Sequence, residues 1–137
     1  MRSFVAALLF ALSPAALAQQ VELLYISAAD CGFCRRWEAQ YLEDRKPRTS
    51  LDWAEVRFTN VDIGSFRNPF GVGDAPARLR PGLARALEAS GRISLRGTPW
   101  FALFVDGEVR AHAFGVNSFE TRIKPAMRDA LRGKTKA

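Results

Sequence analysis

The sequence predicts an α/β domain: a central mixed sheet of four strands with helices on its faces. Three patterns predict it. A short run of β-formers, Val21–Ser27, precedes a helical segment and then an alternating stretch over residues 53–63, the pattern of a βαβ unit. Trp100–Val105 and Glu108–Phe114 are two further strands joined by Asp106-Gly107, a two-residue turn signal. An amphipathic segment then closes the chain, with Phe119, Ile123, Met127 and Leu131 following one another on one helical face.

Taken in order, residues 1–18, MRSFVAALLFALSPAALA, read as a secretory leader. Arg2 supplies the positive start and an apolar run follows. Ala16-Leu17-Ala18 is an A-x-A cleavage pattern. Pro14 interrupts the run well short of the ~20 apolar residues a membrane span needs. The expected product is an exported domain over residues 19–132, with 133–137 as a flexible tail, in a compartment where disulfides persist; in a Gram-negative cell that is the periplasm. VELLYIS is apolar and short, as a buried strand should be. Asp30 stands where an N-cap is expected, and residues 31–44 follow as a helix with Cys34, Trp37 and Tyr41 on one stripe, closed by Pro47. In the second strand Val56, Phe58 and Val61 are expected to face inward. Residues 64–82 are rich in Gly, Pro and Arg and lack clear periodicity. A connection that long in a compact domain is usually functional or mobile.

Pro81 suits the first turn of a helix running to Ser90, with Leu83, Ala84 and Leu87 inward and Gly91 as its stop. Trp100–Val105 is continuously apolar and should be a central strand. In the strand that follows, Val109, Ala111 and Ala113 are expected on one face, with Glu108, Arg110 and His112 on the other, toward water. The last helix should start near Asn117, with Glu120 as its capping-box partner. Pro125 must kink or restart it, since an interior proline costs about 3 kcal/mol.

The formal net charge is +6, yet Lys and Arg are spread along the chain without a dense run before the tail. That is a solvated basic surface, and it gives no nucleic-acid interface. No segment after the leader is long and apolar enough to embed in a membrane.

Chemistry concentrates in AADCGFCRRWEAQYL, residues 28–42, which holds both cysteines of the chain. A helical separation of three puts Cys31 and Cys34 on one face with Cβ atoms about 5–6 Å apart. A disulfide needs nearer 4 Å, which a first turn accommodates with a small adjustment. Cys31 is nearest the free backbone N–H groups and the positive end of the helix dipole, both of which favour a thiolate. Cys34 lies a turn deeper. Cys31 is then the attacking sulfur and Cys34 the resolving one. Arg35 can lean back toward Cys31 and Asp30 immediately precedes it, so the two modulate the thiol in opposite senses. A purely structural staple is disfavoured, because so short a loop yields little stabilisation. A zinc site would need about four ligands, and beyond the cysteines the chain offers His112, its only histidine. Two thiolates could also hold Cu(I), so copper handling stays open as the alternative, as does a redox-inactive adaptor.

The chain resembles the thioredoxin superfamily over residues 21–131. CGFC follows the first strand, Val61-Asp62 ends the next, and GTPWF at residues 97–101 precedes the hairpin. The resemblance implies a thioredoxin-like fold and an exported thiol–disulfide oxidoreductase, similar to periplasmic disulfide isomerases and small exported thioredoxins. Cys31 and Cys34 would be catalytic. Thr98 and the cis-proline Pro99 would meet an extended partner segment through its backbone, and Phe33 would form part of the docking surface. The implied partners are protein thiols and disulfides and a redox partner protein. The expected form is a monomer needing no bound cofactor. Two features depart from the family pattern. Asp30 replaces the usual aromatic residue before the first cysteine, and the strand carries Tyr25 and Ile26 where an acidic residue is usual. Glu38, one turn after Cys34, is the substitute proton acceptor this suggests; its plainer role would be a surface partner for an arginine.

Overall fold

The computed structural model describes residues 19–43, 53–67, 75–90 and 97–135. The expected leader, the helix stop at Pro47, the middle of the 64–82 connection and the stop at Gly91 lie outside the described residues. The strands are β1 (Val21–Ser27), β2 (Val56–Asp62), β3 (Trp100–Val105) and β4 (Glu108–Phe114). They form one mixed sheet in the order β2-β1-β3-β4. β1 pairs with β2 in parallel and with β3 antiparallel, and β3 pairs antiparallel with β4. Every residue of β1 and β3 is buried, as expected of central strands covered on both faces. Asp106 and Gly107 both have positive φ, 53° and 81°, the geometry a two-residue hairpin turn requires.

The parallel pair is bridged by α1 (Gly32–Glu38), which continues as a π-helical turn, Ala39–Glu43. Trp53–Glu55, expected in the second strand, is instead a single 3-10 turn leading into it. α2 (Pro81–Ala89) begins with proline in its first turn and buries Leu83 and Leu87. After β4 come α3 (Val116–Ser118), a π-helical segment Phe119–Ile123, and α4 (Lys124–Thr135).

One face of the sheet carries an aromatic box. Tyr25 of β1 lies 4.5 Å from Trp37 of α1 and 5.3 Å from Phe101 of β3, ring centre to ring centre. Phe119 closes the box at 5.1 Å from Trp37 and 4.8 Å from Phe101. Such pairs contribute about 0.5–1.5 kcal/mol each beyond the area they bury. They fix α1, and the cysteines at its start, against the sheet. Trp37 and Trp100 are core residues, 0% and 1% exposed.

Several expectations change. The expected common face of Val109, Ala111 and Ala113 is broken. Ala111 sits opposite Leu103 but Val109 opposite Phe104, so Arg110 is an extra residue that reverses the alternation. His112 stacks on Trp100 at 6.2 Å and is half-buried rather than facing water. Partial burial and the nearby Arg122 charge hold its pKa below the ordinary histidine value. The last helical stretch starts at Val116, near Asn117 as expected, but behind Gly115 rather than on a capping box. Glu120 is used elsewhere: it accepts from Tyr41 and, at 2.9 Å, from Lys124. The restart Pro125 demanded takes the form of the π-helical segment just before it, which passes the missing N–H without breaking the run. α4 then extends to Thr135, three residues beyond 132.

Candidate active site

β1 ends at Ser27, and a tight turn through Ala28 and Asp30 delivers the chain to α1. Cys31, not Asp30, is the N-cap. Its backbone is extended, with φ −87° and ψ 104°, and its sulfur accepts the backbone N–H of Cys34 at 3.1 Å. Cys31 and Cys34 are joined in a disulfide, with Cα atoms 5.2 Å apart. Cys34 is fully buried and Cys31 is 4% exposed, so the outer sulfur is recessed rather than projecting. It is reached from a cavity of about 560 Å³ that Cys31 lines together with Asp30, Phe33 and Thr98. Disulfides break and form by in-line thiolate attack on one sulfur, so the sulfur that borders open space is the one a partner can engage.

Asp30 is relieved of the capping role because it is spent on the neighbouring loop. Its carboxylate accepts from the Ser65 hydroxyl at 2.6 Å and from the Phe66 N–H at 2.8 Å. These two bonds, the Ser65 one foremost, pull its carboxyl below the usual carboxylate range. The loop is further tied by the Ala29 N–H donating to the Gly64 carbonyl. Arg35 does not line the cavity. Its guanidinium folds back over the helix start and donates to the Ala29 carbonyl at 3.1 Å. Glu38 accepts the Tyr25 hydroxyl at 2.8 Å. Burial, and then that bond, push the Tyr25 phenol above its ordinary range.

Opposite the helix start stands the segment before β3. Thr98 borders the disulfide cavity, and with Pro99 it also borders a second cavity of about 670 Å³ on the other side of Phe33. The Thr98–Pro99 peptide bond is cis. The Thr98 hydroxyl is buried and has no hydrogen-bond partner among the described residues, an unspent polar group beside the disulfide. A sheet ordered β2-β1-β3-β4, a disulfide at the start of the helix after β1, and a Thr-Pro segment entering β3 across from it make up one architecture. This is a thioredoxin-like fold.

Three solved structures are similar to the chain. The chain is similar to the periplasmic thioredoxin SoxS from Paracoccus pantotrophus in its reduced form, at 19% identity and a TM-score of 0.48, over 85% of this chain and 99% of that one. It is similar to spinach chloroplast thioredoxin f at 15% identity and a TM-score of 0.48, over 82% and 78% of the two chains. For the oxidised thioredoxin from Plasmodium falciparum the values are 18% identity, a TM-score of 0.46 and 80% of each chain. No protein-family model and no curated protein matches the sequence.

A closely apposed cysteine pair bordering an open cavity is suited to thiol–disulfide exchange. Among the described residues no group of three or more His, Cys, Asp or Glu side chains could hold a metal ion, and no helix is long and apolar enough to cross a membrane. Sequence reasoning missed five residues of this site. Phe66 and Phe114 line the disulfide cavity, as do Gly32, Arg36 and Gly97. The available signal was an aromatic residue, Phe114, among the outward positions of β4. Phe66, in an aperiodic segment, carried none.

Proposed function

We propose that this protein is an exported thiol–disulfide oxidoreductase that reduces or isomerises disulfides in envelope proteins. The observation that carries the reading is the Cys31–Cys34 disulfide at the start of α1, its outer sulfur bordering a cavity shared with Thr98. In the reduced protein the Cys31 thiolate attacks one sulfur of a partner disulfide. The Cys31–partner S–S bond forms, the partner's bond breaks, and its released thiolate takes up a proton. Cys34 then loses its proton and attacks the Cys31 sulfur. This closes the Cys31–Cys34 disulfide and frees the partner's second thiolate. Two electrons have passed to the partner, and a dithiol redox protein must return them. The N–H of Cys34, already aimed at the Cys31 sulfur, supports the thiolate in the first step.

Phe33, Thr98 and Pro99 serve as the docking contacts for the partner segment, and Asp30 and Arg35 tune Cys31 from the two sides of the helix start. Glu38 is the proton acceptor for Cys34, reached from the helix turn above it. Export is supported by the leader pattern in residues 1–18.

The test is insulin reduction with dithiothreitol as electron source. Wild-type protein should accelerate it, Cys31→Ser should abolish the acceleration, and Cys34→Ser should accumulate a mixed disulfide on Cys31. Stoichiometric Cu(I) binding by both thiolates with no turnover would reject this function in favour of metal handling. The reduction potential against glutathione separates the directions. A value well below glutathione's marks a reductant, and one near or above it marks an oxidant or isomerase.

A further inference from the structure

We propose that the cavity beside Cys31 is a selectivity pocket. It takes a large apolar side chain next to the target cysteine, on an extended partner segment that also carries an acidic residue. The proposal rests on the exchange reading above and names the class of partner that reading leaves open.

Among the described residues three large apolar side chains are exposed: Phe33 at 63%, Phe66 at 49% and Phe114 at 53%. They come from α1, from the loop after β2 and from the end of β4, far apart in sequence. All three line the cavity of about 560 Å³ that Cys31 borders. Scattered exposed apolar residues need no explanation, but a set converging on the reactive sulfur does. None of the three contributes to the aromatic box that holds the fold, so packing does not account for their placement.

Each outer ring is held there by a specific device. Phe66 is pinned by its own N–H on Asp30 and by Ser65 on the same carboxylate. Phe114 lies against Gly97, where an added Cβ would meet its Cε2 at 3.0 Å on a backbone with φ +69°. A side chain at position 97 would push the ring off the cavity.

The rim supplies the charge preference. The Arg36 guanidinium lies 5.7 Å from the centre of the Phe33 ring, and Arg67 lies 5.8 Å from that of Phe66. Asp30, which also lines the cavity, accepts from Ser65 and Phe66 and is offset by the Arg67 charge, and Glu120 is taken by Tyr41 and Lys124. The cavity therefore offers ring surface to an apolar side chain and a net positive rim, with Arg36 the lining cation, to an anion beside it.

The experiment uses the purified chain, reduced, and a set of short peptides each closed by one internal disulfide. The peptides differ only in the two residues after the target cysteine: Phe-Glu, Gly-Glu or Phe-Lys. Hydroxyethyl disulfide, too small to reach across the cavity, is the reference. Relative to that reference, the Phe-Glu peptide should be reduced about tenfold or more faster than Gly-Glu, the scale at which an apolar pocket discriminates. It should also react several-fold faster than Phe-Lys, and this second ratio should shrink as salt is raised. In Phe66→Ala and Phe114→Ala the Phe-to-Gly ratio should fall toward one. Equal rates for all three peptides would overturn the pocket, and so would a preference that survives both substitutions. Failure of the wild-type chain to reduce even hydroxyethyl disulfide would overturn the oxidoreductase reading beneath it. Both rings are solvent-exposed, so their truncation spares the core, and the peptide ratios on the unaltered protein stand without them.

Discussion

Replacing Tyr25 with phenylalanine isolates one bond that joins the central strand to the helix bearing the cysteines. The ring stays, with its contacts to Trp37 at 4.5 Å and Phe101 at 5.3 Å, and only the hydroxyl is lost. That hydroxyl is fully buried and donates to Glu38 at 2.8 Å. A hydrogen bond to a charged acceptor contributes about 1.5–3 kcal/mol. Glu38 is only half-buried and can turn toward water, so the expected loss is nearer 1–2 kcal/mol, at and below the low end of that range. For a domain of this size that lowers Tm by about 4–8 °C. Urea denaturation of the oxidised protein measures it, and a double-mutant cycle with Glu38→Gln assigns it to the pair. A second readout follows from the raised phenol. The folded state keeps the Tyr25 proton above the ordinary value of 10.0, so wild-type stability is full below pH 10 and falls as pH rises beyond it. Tyr25→Phe should flatten that alkaline slope. A loss below about 0.3 kcal/mol, or strictly additive single substitutions, would refute the coupling of β1 to α1 through this bond.

Three further outcomes are expected. Gly97→Ala forces a positive φ on alanine, which costs about 1–2 kcal/mol, and displaces Phe114; a denaturant midpoint equal to wild type would contradict it. The depressed His112 pKa means the unfolded chain gains a proton first on acidification. Stability should therefore fall as pH drops below 6.5, and His112→Gln should remove that part of the acid slope in thermal melts at stepped pH. Asp30→Asn removes a negative charge beside Cys31. A negative charge close by disfavours the thiolate. Iodoacetamide should then alkylate the reduced protein faster near neutral pH, and an unchanged rate would show that Asp30 acts only through the loop.

The order of strands and helices could be read from local pattern alone, because each element carries its own signal. β1 and β3 are apolar throughout, Asp106-Gly107 has the residue types a positive-φ turn demands, and Pro81 opens a helix as its fixed φ allows. The cysteine pair was legible for the same reason: a spacing of three is a local fact, and a helix turns it into proximity. Misreadings arose where distant residues compete for a group. Asp30 looks like a cap, but Ser65 and Phe66, more than thirty residues on, claim its carboxylate and leave the cap to Cys31. Glu120 looks like a capping-box partner, but Tyr41 takes it across the fold. The extra residue at Arg110 has no sequence mark, since a bulge is set by pairing with β3. The sequence by itself determined which elements form and where two sulfurs meet. Only the tertiary structure decided which rings surround them, because Phe33, Phe66 and Phe114 become neighbours when β1, β2 and β4 take their places in one sheet.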